Sequence, residues 1–250
     1  FLKAYYYFEL VKWFGGVPMK GDVRFALGDE LVIPRSSKAE VYAAIEADLL
    51  AAIEDLNPQA PQVGRVSKGA AQALLGKVYL YQDKFAEAAS VLEEVIASNR
   101  YSLAQGADYT NLFEASGENG PESLFEVQYT DVEGAGFGCL QCSEGNVAVG
   151  FSGPRGYAGP LYTSGFSFNV PDPDVVSATF EAGDRRTGVT ILDMDQWNAE
   201  TGATYNPGYH DTGLFNRKYI PRTRSGQAAG DLNLTNPNNY RAIRYADVLL

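Results

Sequence analysis

Residues 64–101 place the strongest constraint on the fold, because they predict two helices joined by a tight turn. Ser67 is a suitable N-cap, since its side chain can accept a hydrogen bond from a free backbone N–H group of the first helix. Apolar residues then recur at helical spacing. They are Ala71, Leu74, Leu75, Val78 and Tyr81 in the first helix and Phe85, Ala88, Ala89, Leu92 and Ile96 in the second. Two helices cannot bury both of their faces alone, so we expect further elements against them.

This helix pair resembles a tetratricopeptide repeat, a unit of about 34 residues with small and aromatic residues at fixed offsets. Those offsets are occupied by Leu75, Gly76, Tyr79, Phe85 and Ala88. We expect Gly76 and Ala88 to let the two backbones approach closely, with Tyr79 and Phe85 filling the space beside them. The repeat's early Trp, turn Gly and late Pro are replaced by Gln72, Asp83 and Arg100.

The acidic composition argues against two classes of partner. The chain has 250 residues and a formal net charge of −11. Nucleic acids and anionic membrane surfaces attract basic patches, so neither is an expected partner. No apolar run approaches the roughly 18 residues that a membrane helix needs. The 16 Tyr, 13 Phe and 26 Gly residues indicate loops that present aromatic rings.

Two further helices are predicted before the central pair. Residues 1–14 are apolar nearly all the way round a helical wheel, which is typical of a helix that is buried within a larger assembly. Ser37 and Glu40 form a capping-box pattern that opens a second helix, which ends at Leu56. These two helices resemble a second repeat pair whose turn has grown into a long loop.

The chain changes character after Tyr101, where Gly-rich and aromatic segments replace the helical periodicity. Alternating residues predict a strand over 123–129. The other expected elements are a short helix over 174–181, strands over 187–194 and 215–220, a loop over 195–213 that contains Trp197, a polar Asn-rich loop over 222–239 and a final helix from about Asn239.

The predicted fold class is therefore mostly α, with tetratricopeptide-like helix pairs and a loop-rich, irregular subdomain that contains a few short strands. Residues 1–101 would form the helical scaffold. Residues 102–238 would form the loop-rich region, which we expect to bear the ligand site. Residues 239–250 would begin a further scaffold helix, and we expect the chain to be truncated at both ends.

Cys139 and Cys142 form a C-x-x-C pair inside a Gly-rich loop. A local disulfide suits a protein of an oxidising compartment. A redox motif would need a helix N-terminus beside it, and a zinc site would need more ligands than the single histidine, His210, can supply. We favour a disulfide staple or two free thiols.

Several stretches, taken together and in order, resemble the SusD-like family, also called SusD/RagB. The resemblance rests on AYYYFELVKWFGGVPM at 4–19, the segments 34–56 and 180–186, GRVSKGAAQALLGKVYLY at 64–81, SLFEVQY at 123–129 and NNYRAIRYADVLL at 238–250. They span nearly the whole chain, which resembles the central part of such a protein.

The resemblance implies a lipid-anchored, surface-facing outer-membrane protein that binds oligosaccharide or polysaccharide without catalysis and without a cofactor. Its partner would be a SusC-like TonB-dependent transporter, to which it delivers the ligand. The repeat-like helices would provide the scaffold and the transporter contact, and the loop-rich part would help to build the sugar site. The lipid anchor would lie outside this chain. Some members of the family bind peptides instead of glycans.

The family builds its ligand site from aromatic rings and a few polar side chains. Sugar rings stack an apolar C–H face on aromatic rings, while their hydroxyls pair with polar groups. Trp197 is the first candidate, because it falls in a polar, Asn-flanked segment with no helical stripe to join. The candidate glycan-binding residues are Trp197, Tyr205, Tyr209, Tyr157 and Tyr162. The alternative for each ring is ordinary packing in the interior of the loop region.

No catalytic residues or metal ligands stand out in the sequence. Asp184 and Arg186 are expected to form a structural ion pair that closes a turn, in preference to an anion clasp. A single histidine, His210, makes neither a metal-ligand set nor a general base, and it is expected at a loop surface. Trp13 and Tyr5–Tyr7 are expected in the core. A helical-repeat scaffold for protein–protein interaction is the second hypothesis, and a glycoside hydrolase, which needs a pair of carboxylic acids, is the third.

Overall fold

The computed structural model describes residues 1–21, 24–133, 136–139, 144–208, 210–226 and 230–250. The chain divides into two compact units. Unit 1 comprises Phe1–Ser102, Pro121–Phe125 and Ile243–Leu250, and unit 2 comprises Leu103–Gly120 and Glu126–Ala242. Within the described ranges, no helix is both long enough and apolar enough to span a membrane.

Unit 1 is built on four helices, α1 Leu2–Phe14, α2 Lys38–Asp55, α3 Lys68–Leu80 and α4 Phe85–Ala97. Each packs against the next along the chain, so both predicted helix pairs form. The capping box is present at the start of α2, where the Ser37 side chain accepts from the Glu40 N–H and the Glu40 carboxylate accepts from the Ser37 N–H. Ser67 caps α3 as predicted, with its hydroxyl accepting from the Ala70 N–H at 3.2 Å.

The close approach of α3 and α4 is confirmed at Gly76. A Cβ atom on this residue would lie 2.5 Å from Cδ2 of Leu92, which is closer than side-chain atoms pack. Ala88 is 1% exposed. Phe85, however, is 63% exposed, so the expectation that its ring fills the space beside Gly76 is wrong. Leu92 fills that space instead.

Helix α1 buries only one face within this chain, and its burial within a larger assembly stays a prediction. Ala4, Phe8 and Val11 form its buried face. The opposite face leaves large apolar side chains exposed: Leu2, Tyr6, Leu10, Trp13 and Phe14. The expectation of core packing is therefore wrong for Tyr6 and Trp13, and Trp13 is 80% exposed. Composition around a helical wheel cannot tell how many faces find neighbours.

Outside α1–α4 the regular elements are short. The strands are β1 Ser123–Val127, β2 Ile191–Asp193, β3 Leu214–Asn216 and β4 Tyr240–Arg244. The remaining helices are α5 Ala107–Thr110, α6 Val147–Ser152, α7 Pro173–Thr179, α8 Arg185–Thr190, α9 Met194–Thr201 and α10 Tyr245–Leu249, and 3₁₀ turns span Asp29–Leu31, Ala115–Gly117 and Arg217–Tyr219. Strand β1 pairs with β4, and β2 pairs antiparallel with β3, placing Leu192 opposite Phe215.

The short elements test the sequence expectations closely. The strand over 123–129 and the helix over 174–181 are confirmed as β1 and α7. Of the strand expected over 187–194, residues 187–190 belong to helix α8 and residues 191–193 form β2, so this prediction is only partly confirmed. The loop expected over 195–213 contains helix α9, and the strand expected over 215–220 ends early in a 3₁₀ turn. The final helix is preceded by β4. An N-cap stabilises the start of α9, where the Asp193 side chain accepts hydrogen bonds from the Asp195 and Gln196 N–H groups.

The polar Asn-rich segment near the end of the chain lies largely inside unit 2. Thr235, Asn236, Asn238 and Asn239 are at most 3% exposed. The Asn238 side chain donates to the Ile220 carbonyl at 2.8 Å, and the Asn236 side chain donates to the Asn146 carbonyl at 2.9 Å. These amides satisfy buried backbone groups that would otherwise carry a desolvation cost. The sequence predicts this loop but not its burial.

Cys139 is disulfide-bonded, and the described residues include no free cysteine. This favours the disulfide staple over two free thiols. Cys142, the second member of the predicted pair, lies outside the described residues.

Candidate functional site

The structure brings Trp197, Tyr157 and Tyr162 together in unit 2. The Trp197 indole Nε1–H donates to the Tyr157 hydroxyl oxygen at 2.9 Å. The Tyr157 hydroxyl in turn donates to the Pro160 carbonyl at 2.7 Å. The Tyr162 and Trp197 ring centroids lie 5.6 Å apart. The hydrogen bonds and ring contacts together fix the orientation of the indole.

Trp197 lies on helix α9, so the expectation that it belongs to a loop is wrong. Its ring packs against the hydrophobic core of unit 2, which comprises Tyr157, Tyr162, Leu192, Met194, Ala203, Phe215 and Ile220. Within this cluster Tyr157 is 8% and Tyr162 is 2% exposed, whereas Trp197 is half-buried. Trp197 therefore offers a ligand more ring surface than either tyrosine. The two tyrosines position it from beneath.

Tyr205 packs against the same core from another side. Its ring meets Phe215 edge-on with the centroids 5.6 Å apart, and its hydroxyl donates to Asp211 Oδ2 at 2.7 Å. Burial, the hydrogen bond to Asp211 and the Asp211 charge raise the pKa of Tyr205. The half-buried ring is held by contacts at both its edge and its hydroxyl. Tyr209, the fifth candidate, lies outside the described residues.

Charged side chains surround the buried end of the cluster. The Tyr162 hydroxyl donates to Glu114 Oε1 at 3.3 Å, and the Arg222 guanidinium lies 5.0 Å from the Tyr162 ring centroid. Burial and the nearby Glu114 carboxylate raise the pKa of Tyr162 to about 12. The Arg217 guanidinium lies 5.8 Å from the centroid of the Trp197 ring, within cation–π range.

Arg222 is the best-connected of these groups. It is 4% exposed, and its Nε donates to Glu114 Oε2 at 2.7 Å. Its remaining donors reach the backbone carbonyls of Ile220, Phe113 and Arg217. A buried cation with this many partners holds several segments together. Sequence reasoning missed Arg217, Arg222 and Glu114, since no local pattern distinguishes them from surface charges.

The aromatic cluster presents one half-buried indole face, and the carboxylate closest to it is already occupied by other side chains. Within the described residues, no group of three or more His, Cys, Asp or Glu side chains could hold a metal ion. The Glu114 carboxylate is engaged by Arg222 and Tyr162. Asp184 and Arg186 form the expected ion pair at 2.6 Å, which lowers the pKa of Asp184, and His210 is exposed as expected.

Comparison with known proteins shows which proteins share this sequence and architecture. A family model described as "Starch-binding associating with outer membrane" matches residues 1–80. SusD-like protein P2 of Formosa agariphila is 32% identical over the whole chain, which covers 49% of that protein. A solved laminarin binding SusD-like protein is 36% identical, with a TM-score of 0.82, 99% of this chain covered and 56% of that one. The chain belongs to the SusD-like family.

A second solved SusD-like relative is surface glycan-binding protein A from Bacteroides fluxus, at 29% identity and a TM-score of 0.82. The match covers 99% of this SusD-like chain and 51% of that protein. The chain spans about half the length of the curated relatives it matches. The fold predicted from the SusD-like resemblance is therefore confirmed over this half, in both its helical and its irregular parts.

Proposed function

We propose that this SusD-like chain is part of a non-catalytic protein that binds oligosaccharide at the cell surface and delivers it to a SusC-like TonB-dependent transporter. The observation that carries the proposal is the likeness of the whole chain, at 36% identity, to a laminarin binding SusD-like protein. The family description, which names association with the outer membrane, supports the location. We further propose that a lipid anchor outside this chain attaches the protein to the outer membrane.

The geometry around Trp197 supports the proposal that this protein binds oligosaccharide. A half-buried indole, locked by Tyr157 and backed by Tyr162, offers a flat apolar face that is already ordered before a ligand arrives. Preorganisation lowers the entropy cost of binding. Sugar rings stack on such faces, and their hydroxyls can accept from the Arg217 guanidinium beside the ring. Trp197 is thus the residue we assign to direct ligand contact, and Tyr205, which packs against the same core, is the next candidate among the described residues.

Calorimetric titration of the full-length protein against a panel of oligosaccharides tests this proposal. The panel includes laminari-oligosaccharides, because one relative is named for laminarin binding, together with α-glucan and uronic-acid oligosaccharides. We expect saturable binding of at least one member. The only other tryptophan, Trp13, is 80% exposed on α1, so Trp13→Ala is a matched control that should bind as the wild type does. Absence of binding across the panel would exclude glycan capture.

A groove in unit 1 favours a protein partner as a second candidate function. It has a volume of about 450 Å³ and is lined by Leu50, Ile53, Leu75, Tyr79, Ala86, Glu87, Ser90, Val91 and Glu94. Grooves on helical repeats hold peptide segments. Copurification of the full-length protein with the transporter, compared between wild type and Leu50→Glu, tests whether this face takes part in delivery. Copurification without any glycan binding would favour the scaffold function instead.

A further inference from the structure

Four phenylalanine rings form a second aromatic cluster in unit 2. Phe151 and Phe168 lie parallel within 15° at 6.1 Å, and Phe166 lies 5.7 Å from Phe151. Phe137 extends the row, with its centroid 6.1 Å from that of Phe166. Phe137 is 67% and Phe168 is 53% exposed, while the other two rings are half-buried. We call these four rings, together with Arg155, the Phe surface.

The backbone beneath the Phe surface is held rigidly. The Phe166 N–H donates to the Gly150 carbonyl at 2.9 Å, and the Phe168 N–H donates to the Phe151 carbonyl at 2.7 Å. A Cβ atom on Gly165 would lie 2.6 Å from Cα of Gly153, so the two segments are in backbone contact. The rings of Phe151, Phe166 and Phe168 are therefore presented by a fixed framework.

Arg155 adds a polar group at the edge of these rings. Its Nη2 donates to the Phe166 carbonyl at 2.9 Å, and its backbone N–H donates to the Ser167 hydroxyl at 2.8 Å. The side chain is exposed, and no carboxylate in the described ranges pairs with it. Its other guanidinium N–H groups point to no described acceptor, so they can donate to a ligand. Arg155 also lies only two residues before Tyr157 of the Trp197 cluster.

We propose that the Phe surface is a second contact surface for the oligosaccharide, one that rests on the proposed glycan-binding function. Exposed aromatic faces stack on the C–H faces of sugar rings, and the planar guanidinium fork donates to adjacent hydroxyls. An extended patch of exposed aromatic side chains on a rigid loop marks an interaction site. The hydrogen-bond donor at its edge favours a sugar over a purely apolar protein face, which offers such a donor no acceptor.

Calorimetric titration of the full-length protein with laminari-oligosaccharide and with laminarin tests this inference. Phe137→Ala and Arg155→Gln alter the two most accessible parts of the surface, and thermal melts verify that each variant is folded. We expect each variant to weaken binding by about tenfold, in the range of aromatic hot spots. Phe85→Ala is the matched control, because Phe85, on α4 of unit 1, is 63% exposed, close to the 67% of Phe137. It should bind with wild-type affinity.

The outcomes separate this inference from the proposed function. If wild type binds and Trp197→Phe weakens binding, while folded Phe137→Ala and Arg155→Gln bind normally, the Phe surface is excluded and glycan binding stands. If wild type binds neither probe nor any other panel member, both the Phe surface and the proposed glycan-binding function are excluded. Where Phe137→Ala melts early, a folded Arg155→Gln decides the outcome, since it removes the exposed guanidinium and keeps all four rings in the chain.

Discussion

The indole N–H of Trp197 donates to the hydroxyl oxygen of Tyr157 across 2.9 Å, and this bond ties helix α9 to the segment 157–160. Tyr157 is 8% exposed, so the bond lies at the margin of the core. The same oxygen accepts from Trp197 and donates onward to the Pro160 carbonyl. Tyr157 thereby determines which way the candidate sugar-stacking ring faces.

We predict that Tyr157→Phe lowers the free energy of unfolding by about 1–3 kcal/mol, because it leaves the Trp197 N–H and the Pro160 carbonyl without their partner. The double variant with Trp197→Phe should cost less than the sum of the single changes, since each breaks the same bond. Denaturant titrations measure all three. Tyr6→Phe, at a side chain that is 64% exposed, is the control. Strict additivity would show that the bond contributes nothing.

Trp197→Ala should weaken oligosaccharide binding by about ten- to a hundredfold. Because this ring packs on the core of unit 2, we expect a lowered melting temperature as well. Trp197→Phe keeps a ring on the core and separates the two effects, since it should melt above Trp197→Ala yet bind less tightly than wild type. Full affinity in folded Trp197→Phe and Trp197→Ala proteins would move the site to Tyr205 and Tyr209.

The raised pKa of Tyr162 predicts that the folded protein loses stability at alkaline pH. Its pKa is raised from 10.0 to about 12 by burial first and by the Glu114 carboxylate second, so the folded state favours the neutral phenol. This stabilisation is fully present below pH 10.0 and is lost as the pH rises from there to about 12, where Tyr162 ionises in the folded protein. Unfolding free energies over this range should fall less steeply in Tyr162→Phe. Equal slopes in the two proteins would contradict the assignment, and Tyr6→Phe controls for loss of a phenol.

In unit 1 we predict that Gly76→Leu and Ala88→Leu each destabilise the protein by about 1–3 kcal/mol through overpacking. A side chain at Gly76 must displace Leu92, and Ala88 is 1% exposed between the helices. Ala89→Leu, at the next and exposed position of α4, is the matched control and should leave the melting temperature nearly unchanged. Melting curves that do not distinguish position 88 from position 89 would argue against the tight packing of α3 on α4.

The full-length protein should release no reducing sugar from plant, algal or storage polysaccharides. Glycoside hydrolysis needs a pair of carboxyl groups that flank the scissile bond. The Glu114 carboxylate near the aromatic cluster is instead engaged by Arg222 and Tyr162. Assays of reducing-sugar release by the wild type and by Glu114→Gln test this prediction. Steady hydrolysis that disappears in this variant would establish an enzyme.

Much of unit 1 was predictable because its signals are local. Helical spacing, the capping pair Ser37–Glu40 and the small residue at Gly76 act within one or two turns of chain, and each appears in the structure as expected. The exposure of Trp13 was not predictable, since it depends on which faces of α1 meet a neighbour. Helical periodicity indicates which residues share a face of a helix, but it does not indicate which other element packs against that face.

By itself, the sequence determined the family, the helix pairs of the scaffold and the aromatic residues available to a sugar site. Only the tertiary structure decided that Trp197 stands on a helix, that Tyr162 is buried beneath it and that Arg222 and Glu114 meet across 108 positions of chain. It also gathered Phe137 with rings from residues 151–168. Short-range signals fix helices and caps, whereas a site assembled from loops depends on contacts between distant segments, which no local pattern encodes.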